Sequence, residues 1–252
     1  MAKQSGLGDN LYVDEFNVSG DIGAINSIAS PMSVQDITNI TLSGVARQGL
    51  LHDGSIGFTS LWNPANVSPA NSQHQVLRTR PVTDRVVSYF RGTTLGNAAA
   101  SLVTKQINYD GTRNQDGSLT FATDCQANGY GLEWGVNLTA GPKTDGAGAN
   151  GSTVDLGSAV ASYSQGWAAY LHVFALTGTS VTVKIQDSAD GATWADLTGA
   201  SFAAAAAVGA QRIASASATA TVRRYVRVVS SGTFTNAQFA VNFVRYEVGG
   251  HA

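Results

Sequence analysis

Ser180-Val181-Thr182-Val183-Lys184-Ile185-Gln186 alternates β-branched apolar residues with polar ones. That is the period of a strand with one buried and one wet face. Upstream, residues 168–175 form an apolar run that leads through Thr177-Gly178-Thr179 into this strand. Downstream, Ser188-Ala189-Asp190-Gly191 predicts a turn, returning the chain to Thr193-Trp194-Ala195-Asp196-Leu197. Further strands are expected at 223–229 and 239–247, and the alanine-rich stretch 202–210 reads as a loop or irregular crossover. Several short strands in about a hundred residues imply a small β-sandwich over residues 155–252.

Before this sandwich lies Gly141-Pro142-Lys143-Thr144-Asp145-Gly146-Ala147-Gly148-Ala149-Asn150-Gly151-Ser152. Turn-formers without apolar periodicity predict a Gly-rich linker over 141–154. Residues 1–140 then form a first domain. Within it, Ser55-Ile56-Gly57-Phe58-Thr59-Ser60-Leu61-Trp62 and residues 84–90 read as strands, and 96–103 as the one short helix. Residues 103–109 and 118–127 are expected to pair across the polar turn 110–117. Gly129-Tyr130-Gly131-Leu132-Glu133-Trp134-Gly135 sets aromatics between glycines, where backbone bends or meets a neighbour closely, so Tyr130 and Trp134 are candidate subunit contacts. The expected class is all-β, a sandwich or barrel followed by a smaller sandwich.

The bulk numbers fit this reading. Among 252 residues, 28 are Gly, 43% are hydrophobic and only 13% are charged, well below the roughly 25% usual for soluble domains. Either something other than surface charge keeps such a chain soluble, or it assembles. The net charge of −2 gives no basic footprint for nucleic-acid capture. Lys and Arg against Asp and Glu number 9 against 12 in residues 1–150, and 6 against 5 in 151–252. The opening residues lack the apolar core of a signal peptide, and no run reaches membrane-spanning length, so a cytosolic chain is expected. Cys125 is the single cysteine, which excludes an internal disulfide.

No chemical motif survives its context. His52, His74, His172 and His251 are dispersed, without the close His or Cys spacing of a metal site. Neither a Gly-x-Ser-x-Gly elbow nor His-Glu-x-x-His is present. Gly146-Ala147-Gly148-Ala149-Asn150-Gly151 matches a dinucleotide fingerprint formally, but no apolar strand precedes it and no periodic helix follows. Asp187, Asp190 and Asp196, or Asp110, Asn114 and Asp116, lack the calcium-loop spacing and read as turn caps. Asn17, Asn39, Asn66, Asn137 and Asn150 begin sequons that read as coincidences of composition. No cofactor, metal or catalytic residue is expected, and the chain reads as a non-enzyme. Trp167, Tyr170, Trp194 and Tyr225 form a candidate aromatic platform for a host-surface glycan.

Ile37-Thr38-Asn39-Ile40-Thr41 and Gly49-Leu50-Leu51-His52-Asp53-Gly54, leading into residues 55–62, resemble a stretch of the major tail tube proteins of long-tailed bacteriophages. Gly6-Leu7-Gly8-Asp9-Asn10-Leu11-Tyr12-Val13-Asp14 and residues 127–135 are similar to tail proteins of phages infecting actinobacteria. The likeness covers most of residues 1–140, and the second domain resembles immunoglobulin-like or jelly-roll appendages. The resemblance implies a virion tail protein, assembled in the host cytoplasm from six copies per ring, with sheets joined edge to edge and rings stacked into a tube. Its implied partners are further copies of itself, tape-measure, terminator and distal tail proteins, and genomic DNA in passage, with no membrane. Contacts between copies would fall on Leu11, Tyr12, Val13 and Phe16, and on the loop between residues 39 and 53, including Ile40, Leu50 and Leu51. A capsid decoration protein or a carbohydrate-binding adhesion protein is the competing reading.

Overall fold

Valine, isoleucine, threonine and aromatics at alternate positions favour strands, and strands dominate. The computed structural model describes residues 7–63, 72–157 and 162–247; Asn66 and His251 lie outside them. In chain order the first strands are β1 (Asn10–Val13), β2 (Phe16–Asn17), β3 (Ile22–Ala29), β4 (Met32–Asp36), β5 (Arg47–His52) and β6 (Ser55–Leu61). After the helix α1 (Gln73–Leu77) come β7 (Arg85–Phe90), β8 (Ala98–Gln106), β9 (Asp110–Arg113), β10 (Leu119–Ala127) and β11 (Glu133–Asn137). Three short strands follow, β12 (Lys143–Asp145), β13 (Ala149–Asn150) and β14 (Val154–Asp155). The last are β15 (Ser162–Ser164), β16 (Trp167–Ser188), β17 (Ala195–Ser201), β18 (Gly209–Ala214), β19 (Thr221–Arg223) and β20 (Tyr225–Arg245). The fold is all-β.

β16 and β20 pair antiparallel along almost their whole length, from Trp167↔Arg245 to Ser188↔Tyr225. The chain therefore passes through Thr177-Gly178-Thr179 within one strand, and the strands expected at 223–229 and 239–247 are one. The ladder shifts register around Gly178, where a bulge bends the ribbon and lets it continue. Gly178 (φ +143) and Gly232 (φ +130) press against the opposite backbone, so a Cβ on Gly232 would lie 2.3 Å from the Ser180 carbonyl oxygen.

The expected linker is also strand. β12, β13 and β14 each pair with β20, so residues 143–155 run along the ribbon edge. The dinucleotide-like glycines lie there, with Gly151 donating to the Val228 carbonyl at 2.7 Å. Residues 98–106 are a strand between β7 and β11 rather than a helix. Their small residues decide it: Ala99, Ala100 and Ser101 are fully buried with neighbours on both faces, an environment that overrides helix propensity. Half of the polar turn at 110–117 is β9, paired with β10.

Two large cores result. One gathers Leu11, Val13, Ile56, Phe58, Leu102 and Cys125; the other gathers Trp167, Val183, Ile185, Val228, Phe239 and Phe243. β16 explains how they join. Its distal half, 180–186, alternates as its sequence does, with Val181, Val183 and Ile185 buried. Its proximal half is buried on both faces, odd residues from Trp167 facing the second core and even ones facing the first half of the chain. There Ala168 and Tyr170 pack with Val86 and Val244, while Phe174 joins Tyr12, Phe90 and Ala240.

A buried polar chain crosses the same seam. His172 Nδ1–H donates to the Asp14 carbonyl at 2.6 Å, which leaves Nε2 to accept from the Ser88 hydroxyl at 2.7 Å. Ser88 meets the Ser101 hydroxyl at 2.6 Å, and Asn242 donates to Ser101 at 2.8 Å. Burial pushes the His172 imidazole down to about 4. Burial also pushes the Asp14 carboxyl up to about 6, against the pull of the Val86 amide and of Arg85. The two titrations oppose each other. As pH falls from 6.5 to 4, unfolded His172 takes a proton that the fold refuses, which lowers stability. As pH falls from 6 to 3.8, folded Asp14 takes a proton before the unfolded chain does, which raises it. Asp14→Asn removes the second effect. Its stability, read from urea unfolding between pH 6.5 and 4, should fall more steeply than wild type by up to about 1.4 kcal/mol per pH unit; parallel profiles would contradict this account.

Candidate assembly interface

β3 pairs with β6 from Ile22↔Ser60 to Ala29↔Ser55, and β4 with β5 from Met32↔His52 to Asp36↔Arg47. The four strands make one ribbon. Its inner half lies on the first core, through Ile22, Ile25 and Ile28. Its outer half is an arm in which every residue of β4 and β5 is exposed.

The arm tip is ordered by its own bonds. Asp36 accepts from the Thr38 amide at 2.8 Å, and Asn39 accepts from the Thr41 amide at 3.0 Å and its hydroxyl at 2.6 Å. The hydroxyl and amide of Thr38 hold the Asp36 carboxyl below its ordinary range. Such Asx bonds define a turn without a core. Eight of the sixteen large apolar residues exposed among the described residues lie between Met32 and Leu51, with Ile40 at 104% and Leu51 at 80%. A concentrated exposed apolar surface marks an interaction site.

Glycines clamp the base of the arm. A Cβ on Gly54 would stand 2.4 Å from the Leu132 nitrogen, and one on Gly131 would stand 3.1 Å from the Asp53 oxygen. Ala127 donates to the Gly54 carbonyl at 2.8 Å. The glycine-aromatic segment thus meets a close backbone neighbour within its own chain. Gly135 does the same against Phe243, where a Cβ would lie 2.3 Å from the carbonyl oxygen.

Between the arm base and the end of β20 lies a cleft of about 940 Å³, lined by Leu50, Leu51, Tyr130, Trp134, Val136 and Tyr246 among others. Tyr130 and Trp134 are 45% and 49% exposed. Behind them Glu133 accepts from Arg212 Nη2 at 2.8 Å and Nε at 3.1 Å, and from the hydroxyls of Tyr170 and Tyr246. Burial, reinforced by the charge of Glu133, raises both phenols, which stay protonated donors. The Arg212 guanidinium lies over the Tyr130 ring at 3.6 Å, fixing its plane.

The structure separates the other candidate residues. Leu11, Tyr12 and Val13 are buried in the chain's own cores, so they are not subunit contacts; Phe16 is half-buried beside them. Apolar residues near the start of a chain look alike in sequence whether they serve core or interface. Trp167 and Tyr170 are fully buried, while Trp194 and Tyr225 lie under Arg227 and Arg224, so the four form no platform. Leu50, Leu51, Tyr130 and Trp134 line one cleft, and Ile40 stands apart from them at the arm tip. Met32, Val34, Ile37, Leu42 and Val45 were missed, although the alternation of Met32-Ser33-Val34 and the turn-former Asn39 signal a hairpin.

Among the described residues, no three His, Cys, Asp or Glu side chains group as metal ligands. Asp190 accepts from Ala192, Thr193 and Ser188, bonds that depress its carboxyl strongly, and Asp116 caps Ser118.

No protein-family model and no curated protein matches the chain. Among solved structures it is similar to the SPP1 Dit (gp 19.1) protein, described as a paradigm of hub adsorption apparatus in Gram-positive infecting phages. Identity there is 6%, over 94% of this chain and 99% of that one, with a TM-score of 0.34. It is also similar to chains of the phage p2 baseplate in its activated conformation, with Sr at 8% identity and with Ca at 9%. Each likeness covers 94% of this chain and 98% of the other, at a TM-score of 0.32. Scores of that size leave fold and function to the chain's own geometry.

Glu133→Ala should cost about 3–5 kcal/mol in urea unfolding, because it leaves the Arg212 guanidinium buried without its partner. A loss below about 1 kcal/mol would mean that water solvates Arg212 there.

Proposed function

We propose that this chain is a structural component of a bacteriophage tail and assembles with copies of itself into stacked, hexameric rings that form the tail tube. The observation that carries the reading is the arm. It is an ordered ribbon that presents apolar side chains to water, and its sequence is the stretch that resembles the tail tube family. A monomer has no use for such a surface. Free strand edges add support, since among the described residues the main sheet path ends on β3 at one side and β17 at the other. Closing a ring pairs such edges with a neighbour.

In this reading residues 1–140 build the ring and residues from about 155 decorate it, held by the β20 ladder and not by a free tether. The surplus of acidic groups in residues 1–150, 12 against 9, suits a lumen along which DNA phosphates slide. The protein then resides in the virion tail beside tape-measure, terminator and distal tail proteins.

Electron microscopy and light scattering of the purified full chain test this. Rings with a central channel are expected, stacking as concentration rises; particles that stop at one ring would mark a tail-end hub component instead of a tube. Ile40→Asp with Leu51→Asp should yield monomers that unfold in urea as the unassembled wild-type chain does, since exposed substitutions change stability by only about 0.5 kcal/mol. A wild-type chain that stays monomeric under every assembly condition would overturn the proposal.

A further inference from the structure

The cleft beside Tyr130 and Trp134 is built for an uncharged apolar segment. We infer that its occupant is the arm tip of a second copy of this chain, an assignment that rests on the self-assembly proposed above.

The cleft wall has the composition that dominates binding energy at protein interfaces, namely Trp, Tyr and Arg held in place by their surroundings. Arg212 stacks behind Tyr130, and Glu133 fixes Arg212. The anchors therefore lose little freedom on binding.

Charge narrows the occupant further. Glu133 is neutralised by Arg212 and Asp155 by Arg224, while Arg245 donates to the Leu156 carbonyl at 2.9 Å. His52 and Glu247 stay in water at the rim. With these lining groups already paired or bonded within the chain, a charged segment gains less here against its desolvation than an uncharged one does. The arm tip, Ile37 to Ala46, contains no charged side chain, and it carries Ile37, Ile40, Leu42 and Val45 on its surface. A sugar fits less well, because Glu133 already accepts four hydrogen bonds from within the chain.

The occupant must come from another copy. Leu50, Leu51 and His52 form one wall of the cleft, and β5 runs from that wall toward the tip. Three residues of strand beyond Leu50, at about 3.3 Å each, carry the start of the chain's own tip about 10 Å outward from that wall, and the rest of the tip lies farther along the arm. A tip seated in the next copy's cleft is a head-to-tail contact, the kind that closes into a ring or continues as a stack.

Disulfide trapping on the full chain tests the pairing. Ile40→Cys and Trp134→Cys copies, one carrying a size tag, are mixed under assembly conditions with a mild oxidant; the native Cys125 is buried and does not compete. The expected product is the mixed dimer, several-fold above either homodimer, and Leu51→Cys in place of Trp134→Cys should trap it too. Rings in the microscope with only homotypic or no cross-links would overturn the docking and leave self-assembly standing. Failure of the wild type to assemble, without cross-links, would overturn both. Binding of a cell-wall oligosaccharide that Trp134→Ala abolishes, and that changes in the arm leave intact, would also overturn it.

Discussion

The antiparallel ladder between β16 and β20 is the constraint on which the rest of the structure depends. A ribbon of this length needs different environments along its course. Its distal half buries one face, so Val181, Val183 and Ile185 alternate with Thr182, Lys184 and Gln186. Its proximal half is buried on both faces, and the alternation gives way to Trp167-Ala168-Ala169-Tyr170-Leu171. β11 pairs with β20 on the far side of the ladder and with β8 beyond. The two cores therefore share a sheet, joined at the seam where the ribbon's proximal half packs on the first half of the chain.

Sharing a sheet creates a seam, and the polar groups in it are arranged for neutrality. His172, held between a carbonyl and a hydroxyl, has a single favoured tautomer, and the serine chain transmits that choice to Asn242. Glu133 and Arg212 do the corresponding work at the other end of the seam, with two tyrosine hydroxyls completing the carboxylate. Buried polar groups of this kind add little net stability but penalise any other packing of the two halves.

The strand class was legible because period-2 patterning at 55–61 and 180–186 is local information. What failed was the reading of interruptions. Thr177-Gly178-Thr179 reads as a connection into the next strand, and it is a bulge within one long strand, because glycine serves both and only the partner strand distinguishes them. Residues 141–154 looked like a linker since their strands are too short to show periodicity, and their order comes from β20. Ala98 to Leu102 looked helical because small residues satisfy either state until burial on both faces is known. For the interface, Ile40, Leu50, Leu51, Tyr130 and Trp134 were within reach of sequence, whereas Tyr12, Trp167 and Tyr170 were not separable from them. Aromatic identity is the same on a core face and on a binding face; accessibility is a tertiary property.

The low charge of the chain acquires a physical meaning from the arm. With 13% charged residues, the surface has little electrostatic repulsion to hold copies apart. An exposed apolar ribbon on such a surface is an aggregation hazard unless its contacts are specified. In the docking proposed above, specification comes from asymmetry: donor tip and receptor cleft sit at opposite ends of the arm, so a single head-to-tail contact uses one of each and leaves one of each free. An open chain of such copies would leave one free tip at one end and one free cleft at the other, and the free energy of hiding both would favour closure.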